Sequence, residues 1–168
     1  LSIGPGDQSG VQIGPLIDAE AVAKVEAYIA DALAHGAKIE IGGRRGQQGP
    51  LFYEPTVLSG VTQAMRVARE EIFGPVAPLF SFDSEEEVIA MANATEYGLA
   101  AYFYTLDARR AWRVTEALEY GMVGHNTGLI SNEVAPFGGI KQSGVGREGS
   151  RHGMEEYQEL KYWCSVVE

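Results

Sequence analysis

Residues 99–125 read LAAYFYTLDARRAWRVTEALEYGMVGH, and this stretch decides the fold class. Leu99–Thr105 and Met122–His125 are predicted strands, and Asp107 is a good N-cap for a helix between them. Residues at helical spacing form the predicted inner face of that helix: Ala111, Trp112, Val114, Thr115 and Leu118. A strand, a helix and a strand at this spacing indicate a right-handed βαβ crossover and a parallel sheet.

The segment before it has the same predicted order of a strand followed by a helix. Val76–Phe82 is an apolar strand candidate, and Ser84-Glu-Glu-Glu87 is a capping box that begins another helix. Gly98 and Gly121 are the predicted ends of the two helices. The predicted fold class is therefore α/β, with parallel-sheet βαβ units.

A further amphipathic helix is predicted to begin after Asp18 and to end at Gly36. Its apolar positions recur at helical spacing: Val22, Val25, Ile29 and Leu33. Lys38–Ile41 follows as a short strand. Tyr53–Leu58 is predicted to be extended, and Pro55 within it favours an edge strand or a strand start over a central strand.

Composition excludes several classes of function. The chain has 168 residues, 45% of them hydrophobic, and a formal net charge of -10. This charge disfavours nucleic acid and anionic membranes as partners, since both require clustered Lys and Arg. The three histidines lie far apart in sequence, so no metal site is predicted. A single cysteine, Cys164, favours a reducing compartment, and we expect the cytoplasm.

Both ends of the chain indicate a piece of a larger assembly. Leu1–Gly14 is polar and glycine-rich, and we expect it to continue a longer protein. Ser150–Tyr157 is predicted to form a short helix. Glu159–Val167 alternates so that both faces carry apolar groups, which predicts a strand that another domain or subunit covers. Cys164 within that strand is predicted to be structural, because an apolar setting gives a thiol little thiolate character.

The segment Pro136–Gly149 has five glycines in fourteen residues, which predicts a loop. It is either an ordinary mobile surface loop or a loop shaped around a ligand. Asn126, Ser131 and Phe137 follow the strand Met122–His125, at the sheet edge where α/β proteins bind ligands. The alternative is that Asn126 and Ser131 only satisfy the backbone of the loop.

A second candidate site is Arg69-Glu-Glu-Ile-Phe-Gly-Pro75. Two adjacent carboxylates before a Phe and a Gly-Pro turn do not form an ordinary helix end, and local violations often mark functional sites. A carboxylate can accept both hydroxyls of a ribose, and a Phe can support a flat ring. The alternative is a solvated pair of Glu side chains and a buried Phe.

Four motifs of this chain, in order and at family spacing, resemble the aldehyde dehydrogenase superfamily. They are Gly14-Pro-Leu-Ile17, Glu70-Glu-Ile-Phe-Gly-Pro75, Tyr97-Gly-Leu-Ala100, and Pro136-Phe-Gly-Gly139 with Lys141, Ser143-Gly144 and Gly146-Arg-Glu148. The run Gly121–Gly139 resembles the bacterial succinate-semialdehyde dehydrogenase group of that superfamily. The resemblance implies the C-terminal part of the catalytic domain, over 1–158, and the C-terminal strand of an oligomerisation sheet, over 159–168.

The resemblance also implies roles for four residues. Glu71 matches the glutamate that binds the nicotinamide ribose, and Phe73 matches the aromatic residue beside the nicotinamide. Phe137 matches a residue of the aldehyde pocket, and Ser131 matches a serine that helps to bind the distal carboxylate of the substrate. The implied cofactor is NADP or NAD, and the implied substrate is a small aldehyde with a distal carboxylate.

The nucleophilic cysteine, the general-base glutamate and the Rossmann-like cofactor domain of the family have no match in this chain. We therefore expect no catalytic residue here and no activity of the chain alone. The parent is expected to oxidise succinate semialdehyde to succinate as a homo-oligomer, a dimer or tetramer formed through Glu159–Val167. The alternatives are a dehydrogenase for glutarate semialdehyde or another aldehyde, and a non-enzymatic oligomerisation module.

Overall fold

The first half of the chain is organised around one amphipathic helix, α1 (Ala19–Ala34). The Asp18 carboxylate caps it by accepting from the Ala21 N–H at 2.8 Å. Gly36 follows the helix with φ +96°, a conformation that favours glycine. Both predicted ends are confirmed, but Leu33 is 44% exposed and not part of the buried face. That face consists of Val22, Val25, Tyr28, Ile29 and Ala32.

A three-stranded sheet contacts this helix. It comprises β1 (Lys38–Ile41), β2 (Thr56–Ser59) and β3 (Val76–Pro78), with β2 in the centre, antiparallel to β1 and parallel to β3. Pro55 directly precedes β2, so its interpretation as a strand start is right and the edge position is wrong. Leu58 of β2 is fully buried in the core that the helix and sheet share. A 3₁₀ turn, Arg66–Ala68, lies between β2 and β3.

The structure is a computed structural model that describes residues 1–167, and these form two compact units. The first unit, Leu1–Ser81, contains the elements given so far, and the second begins at Phe82. The second unit comprises α2 (Glu85–Asn93), β4 (Tyr97–Gly98), β5 (Ala100–Phe103), α3 (Ala108–Ala117), β6 (Met122–His125), β7 (Ile140–Lys141) and a 3₁₀ helix (His152–Tyr157).

The predicted βαβ crossover is present in the second unit. Strands β5 and β6 are parallel, with Ala100 opposite Met122 and Phe103 opposite His125, and α3 connects them. Strand β4 pairs with β7 in antiparallel orientation. The predicted capping box of α2 forms in part: the Ser84 hydroxyl accepts from the Glu87 N–H at 3.1 Å, whereas the Glu87 carboxylate accepts from the Asp83 N–H at 2.7 Å, one residue before the cap.

Several details of the second unit differ from the prediction. Helices α2 and α3 end at Asn93 and Ala117, before the glycines predicted to end them. The Asn93 side chain caps the end of α3, because it donates to the Ala117 carbonyl at 2.8 Å and accepts from the Glu119 N–H at 2.9 Å. Trp112 is 73% exposed, and Val114 is the buried residue of α3. Strand β3 pairs with β2, and β5 pairs with β6, so the strands of the predicted repeat do not all belong to one sheet.

The strand predicted at Glu159–Val167 is absent from this chain: among residues 1–167 these residues pair with no strand, and all are exposed. A strand needs a ladder partner for its backbone groups, and this segment has none in the described chain. Cys164 is consequently exposed, which contradicts its predicted apolar setting. Among residues 1–167, no helix has both the length and the apolar character needed to cross a membrane.

Candidate functional site

The loop Glu70–Pro75 is fixed to α1 by the buried side chain of Tyr28. The Tyr28 hydroxyl lies 3.1 Å from a carboxylate oxygen of Glu70 and 3.3 Å from the backbone carbonyl oxygen of Glu71. Arg66 donates to both carboxylate oxygens of Glu70, at 2.8 and 3.0 Å, and its guanidinium lies 4.9 Å from the centre of the Tyr28 ring. A bidentate pair of this kind fixes direction as well as distance.

The two adjacent carboxylates therefore differ in their surroundings. The hydrogen bonds from Arg66 lower the pKa of Glu70 to about 2, so this carboxylate is charged at neutral pH. Glu71 is exposed, and within the described residues its carboxylate makes no hydrogen bond. Glu70 is thus bound by Arg66 and Tyr28, whereas the Glu71 carboxylate is available to a ligand.

Phe73, the second predicted cofactor residue, has an unusual backbone. Its φ is +42°, rare for a residue with a side chain, and its ring is 78% exposed, so the alternative of a buried Phe is wrong. A Cβ on Gly74 would overlap Val25 of α1, and the Pro75 carbonyl accepts from the Thr56 N–H at 2.7 Å. The loop is therefore held on both sides of Glu71 and Phe73.

In the second unit, Asn126 joins the ends of β5 and β6. Its side chain accepts from the Thr105 N–H at 2.9 Å and donates to the Thr105 carbonyl at 2.8 Å, and its own φ is +56°. The Asn126 amide thus satisfies the backbone groups of Thr105, which agrees with the alternative that Asn126 has a structural role. Ser131 lies in the exposed loop beyond, and its hydroxyl has no hydrogen-bond partner within residues 1–167.

Phe137 is half-buried and lines an open pocket of about 530 Å³ in the second unit. Its backbone pairs with Glu148, with N–H···O distances of 2.9 and 2.7 Å. Val145, Met154 and Tyr157 also line this pocket. The structure thus places Glu71 and Phe73 in the first unit and Ser131 and Phe137 in the second.

Gly138 and Gly139 of the segment Pro136–Gly149 allow close backbone packing, whereas a Cβ on Gly144 would meet no other atom. A Cβ on Gly138 would lie 2.6 Å from the Gly146 carbonyl oxygen, and a Cβ on Gly121 would overlap the Gly138 carbonyl. The Arg147 guanidinium donates to the Gly139 carbonyl at 2.8 Å. This segment is therefore a shaped loop held by its own backbone.

Sequence reasoning missed Tyr28 and Arg66, which hold the loop Glu70–Pro75, and Asn93, which caps the end of α3. Tyr28 follows Val25 at helical spacing and could have been assigned to the buried face of α1. No sequence signal shows that its hydroxyl meets a loop more than forty residues away. Within residues 1–167, no group of three or more His, Cys, Asp or Glu side chains could hold a metal ion.

Residues 1–163 match the model of the aldehyde dehydrogenase family, and the chain belongs to that family. It is 61% identical over 164 residues to succinate-semialdehyde dehydrogenase (NADP(+)) GabD of Escherichia coli, covering 98% of this chain and 34% of the relative. It is 60% identical to a 3-sulfolactaldehyde dehydrogenase of Pseudomonas putida, again over 98% of this chain and 34% of the relative.

A solved succinate-semialdehyde dehydrogenase from Burkholderia pseudomallei has the same fold. It matches with a TM-score of 0.97 and 62% identity, over 99% of this chain and 35% of that chain. This confirms the predicted fold class, a mixed α/β structure with parallel strands. The chain spans about a third of the length of these proteins, and its assignment to their C-terminal part stays a prediction.

Proposed function

We propose that the parent of this chain is an NAD(P)-dependent dehydrogenase that oxidises succinate semialdehyde to succinate. The observation that carries the proposal is the loop Glu70–Pro75. It exposes a free carboxylate and an aromatic ring two residues apart, on a backbone held at both ends. This pairing suits a ligand with ribose hydroxyls and a flat ring.

The residues present fit a nicotinamide nucleotide. The Glu71 carboxylate can accept hydrogen bonds from the two hydroxyls of a ribose, and Phe73 can contact the nicotinamide ring. When bound, the nicotinamide supplies the hydride acceptor for the oxidation. The Escherichia coli relative is named for NADP, which favours NADP over NAD for this parent.

For the substrate we propose a small aldehyde with an anionic tail. Phe137 would contact its carbon chain in the pocket, and Ser131, whose exposed hydroxyl has no partner within the described chain, would donate to the distal carboxylate. Relatives named for succinate semialdehyde and for glutarate semialdehyde are each 61% identical to this chain. Glutarate semialdehyde is therefore the second candidate, since one methylene is weakly discriminated.

The nucleophile and the general base would belong to the rest of the parent, and we propose the cytoplasm as its compartment. The chain alone would be inactive, because no residue here is assigned to either role. Sequencing both flanks of the coding region tests this proposal directly. A Cys and a Glu in family motifs support an enzyme, whereas their absence supports a non-enzymatic module.

The assay for substrate and cofactor uses the parent enzyme with both semialdehydes and with NADP and NAD. A Ser131→Ala change should raise KM for the semialdehyde by about tenfold or more, the value of one hydrogen bond to a charged carboxylate, with little change in kcat. Ser9→Ala, at another exposed serine, is the matched control. Equal KM values for Ser131→Ala and the control would contradict the carboxylate role.

The exposed segment Glu159–Val167 is the proposed contact of a homo-oligomer. Its large apolar side chains Leu160, Tyr162 and Trp163 have no cover within residues 1–167. Light scattering on the parent should give a dimer or tetramer, and a Trp163→Glu change should shift it toward smaller species. A parent that stays monomeric at high concentration would contradict this proposal.

A further inference from the structure

We infer that Tyr28 is a positioning residue, whose hydroxyl holds the loop Glu70–Pro75 on α1 so that Glu71 and Phe73 face a nicotinamide nucleotide. Tyr28 would touch neither substrate nor cofactor. It would act through the loop that does. The inference rests on the proposed function of Glu71, and its test separates the two.

The first observation is where the Tyr28 side chain lies. The residue is fully buried in the face of α1 that packs on the sheet, yet its hydroxyl reaches two acceptors of the loop. One of these is the backbone carbonyl of Glu71 itself, at 3.3 Å. A buried hydroxyl held by its own helix therefore sets the backbone position of Glu71, the residue proposed to bind the ribose.

The second observation is that the Tyr28 contact is part of a closed network. Arg66 donates to both oxygens of Glu70, and its backbone N–H donates to the Asp31 carboxylate at 2.8 Å. Asp31 lies one turn after Tyr28 on α1, so helix, 3₁₀ turn and loop are connected through side chains. Each member restrains the next, which is how a rigid scaffold holds a ligand-binding loop in place.

The third observation is that the network holds a conformation the loop would not favour alone. Phe73 has a φ of +42°, a backbone state that costs about 1–3 kcal/mol and persists when its surroundings determine it. The Tyr28 contact lies before Phe73 and the packing of Gly74 on Val25 lies after it. Between these two points, the side chains of Glu71 and Phe73 are exposed.

The competing explanation is that Tyr28 only satisfies a core hydroxyl. Under that explanation its loss would lower stability and leave cofactor affinity unchanged. Tyr53 provides the matched control, because it is a buried tyrosine of the same core whose hydroxyl makes no hydrogen bond within the described chain. Cofactor affinity therefore separates a positioning role from a structural one.

The experiment titrates NADPH into the parent enzyme and follows nicotinamide fluorescence. Tyr28→Phe should raise the NADPH Kd by about fivefold, the fold-change expected for one lost hydrogen bond. Tyr53→Phe should leave the Kd unchanged. The semialdehyde KM should be the same in both variants, since the change acts on the cofactor side.

A double-mutant cycle with Glu71→Gln shows whether Tyr28 acts through Glu71. In the Glu71→Gln background, Tyr28→Phe should raise the NADPH Kd by less than it does in the wild type, because one of the two contacts being positioned is already lost. Additive effects would overturn the inference. So would a Tyr28→Phe variant that binds NADPH as tightly as Tyr53→Phe does.

The remaining outcomes are also decisive. A Glu71→Gln enzyme with unchanged NADPH Kd would overturn the assigned role of Glu71, and the positioning role with it. If Tyr28→Phe fails to fold, Glu70→Gln tests the same network, and it should raise the NADPH Kd. Glu26→Gln is its control, since Glu26 makes an equivalent bidentate pair with Arg45, at 2.7 and 2.9 Å, outside the loop. Equal Kd values for these two variants would overturn the inference.

Discussion

The two loops of this chain that carry the proposed contacts, Glu70–Pro75 and Pro136–Gly149, are held by opposite means. The first loop is held by side chains: a tyrosine hydroxyl, an arginine and a glutamate connect it to a helix. In the second, glycines let backbone segments approach within distances that a Cβ would prevent. Both contain a Gly next to a Phe, but the reason for the glycine differs.

This difference determines how each loop tolerates change. A network of side chains loses its members one hydrogen bond at a time, at about 1 kcal/mol each. A backbone contact without room for a methyl group must be broken or shifted when one is added. We therefore expect the glycine loop to show the largest losses of stability and the first loop to show changes in binding.

The largest effect is expected for Gly121→Ala. The new Cβ would overlap the Gly138 carbonyl oxygen and approach the Gly139 Cα to 2.8 Å, so strand β6 and the glycine loop must separate. We expect a loss of about 3 kcal/mol in the free energy of unfolding, measured by urea titration of the chain. Gly128→Ala is the control, because a Cβ there would meet only the Tyr104 hydroxyl at 3.8 Å. Similar losses in both variants would contradict the packing argument.

Asn126→Ala should cost about 2 kcal/mol in the same titration. It removes two hydrogen bonds to Thr105 and leaves a Cβ at a φ of +56°. Asn126→Gly loses the same bonds but tolerates that φ, so it should be less destabilising than Asn126→Ala. If the alanine variant is as stable as the glycine variant, backbone conformation does not contribute at this position.

The elements whose determinants are local in sequence could be predicted. Asp18, Ser84 and Asp107 are caps for the helices that follow them, and the crossover between β5 and β6 follows from apolar pattern and spacing. The end of α3, which was predicted wrongly, is capped by the side chain of Asn93, more than twenty residues before its partners Ala117 and Glu119. Residue pattern alone cannot reveal such a contact.

The candidate site shows the same division. A pair of carboxylates before a Phe was visible in the sequence, and its local violation of helix rules pointed to function. Which glutamate is free could not be derived from the residues, since it depends on Tyr28 and Arg66 binding Glu70. The strand predicted at Glu159–Val167 failed for a related reason, because a strand needs a backbone partner and this segment has none within residues 1–167.

A smaller effect, of about 1 kcal/mol, is expected where Phe73 is replaced. Phe73→Gly relieves a φ of +42°, so this variant should be about 1 kcal/mol more stable than Phe73→Ala, which also lacks the ring. Both should bind NADPH more weakly than the parent enzyme, if the ring contacts the nicotinamide. Urea titration and NADPH fluorescence measure the two effects separately. Equal stability of the glycine and alanine variants would show that the loop is not strained.

The smallest effect on the free energy of unfolding is expected for Glu70→Gln, because the ion pair of Glu70 with Arg66 is exposed to solvent. Its pKa falls from 4.5 to about 2 on folding, first through the hydrogen bonds from Arg66. A lowered folded-state pKa stabilises the protein above the unfolded-state value and ceases to do so as pH falls through the folded-state value. The stability difference between the wild type and Glu70→Gln should therefore be constant above about pH 4.5 and decline between pH 4.5 and about pH 2.

Urea titrations across that pH range measure this decline, and Arg66→Gln provides the control. Without the guanidinium, the carboxylate loses the main cause of its low pKa, so the decline should become smaller and end at a higher pH. A difference that does not change with pH would mean that Glu70 contributes through shape and not through charge. The comparison between the loops would then rest on the Tyr28 hydroxyl alone, since the charged part of the first network would contribute nothing to holding Glu71 and Phe73.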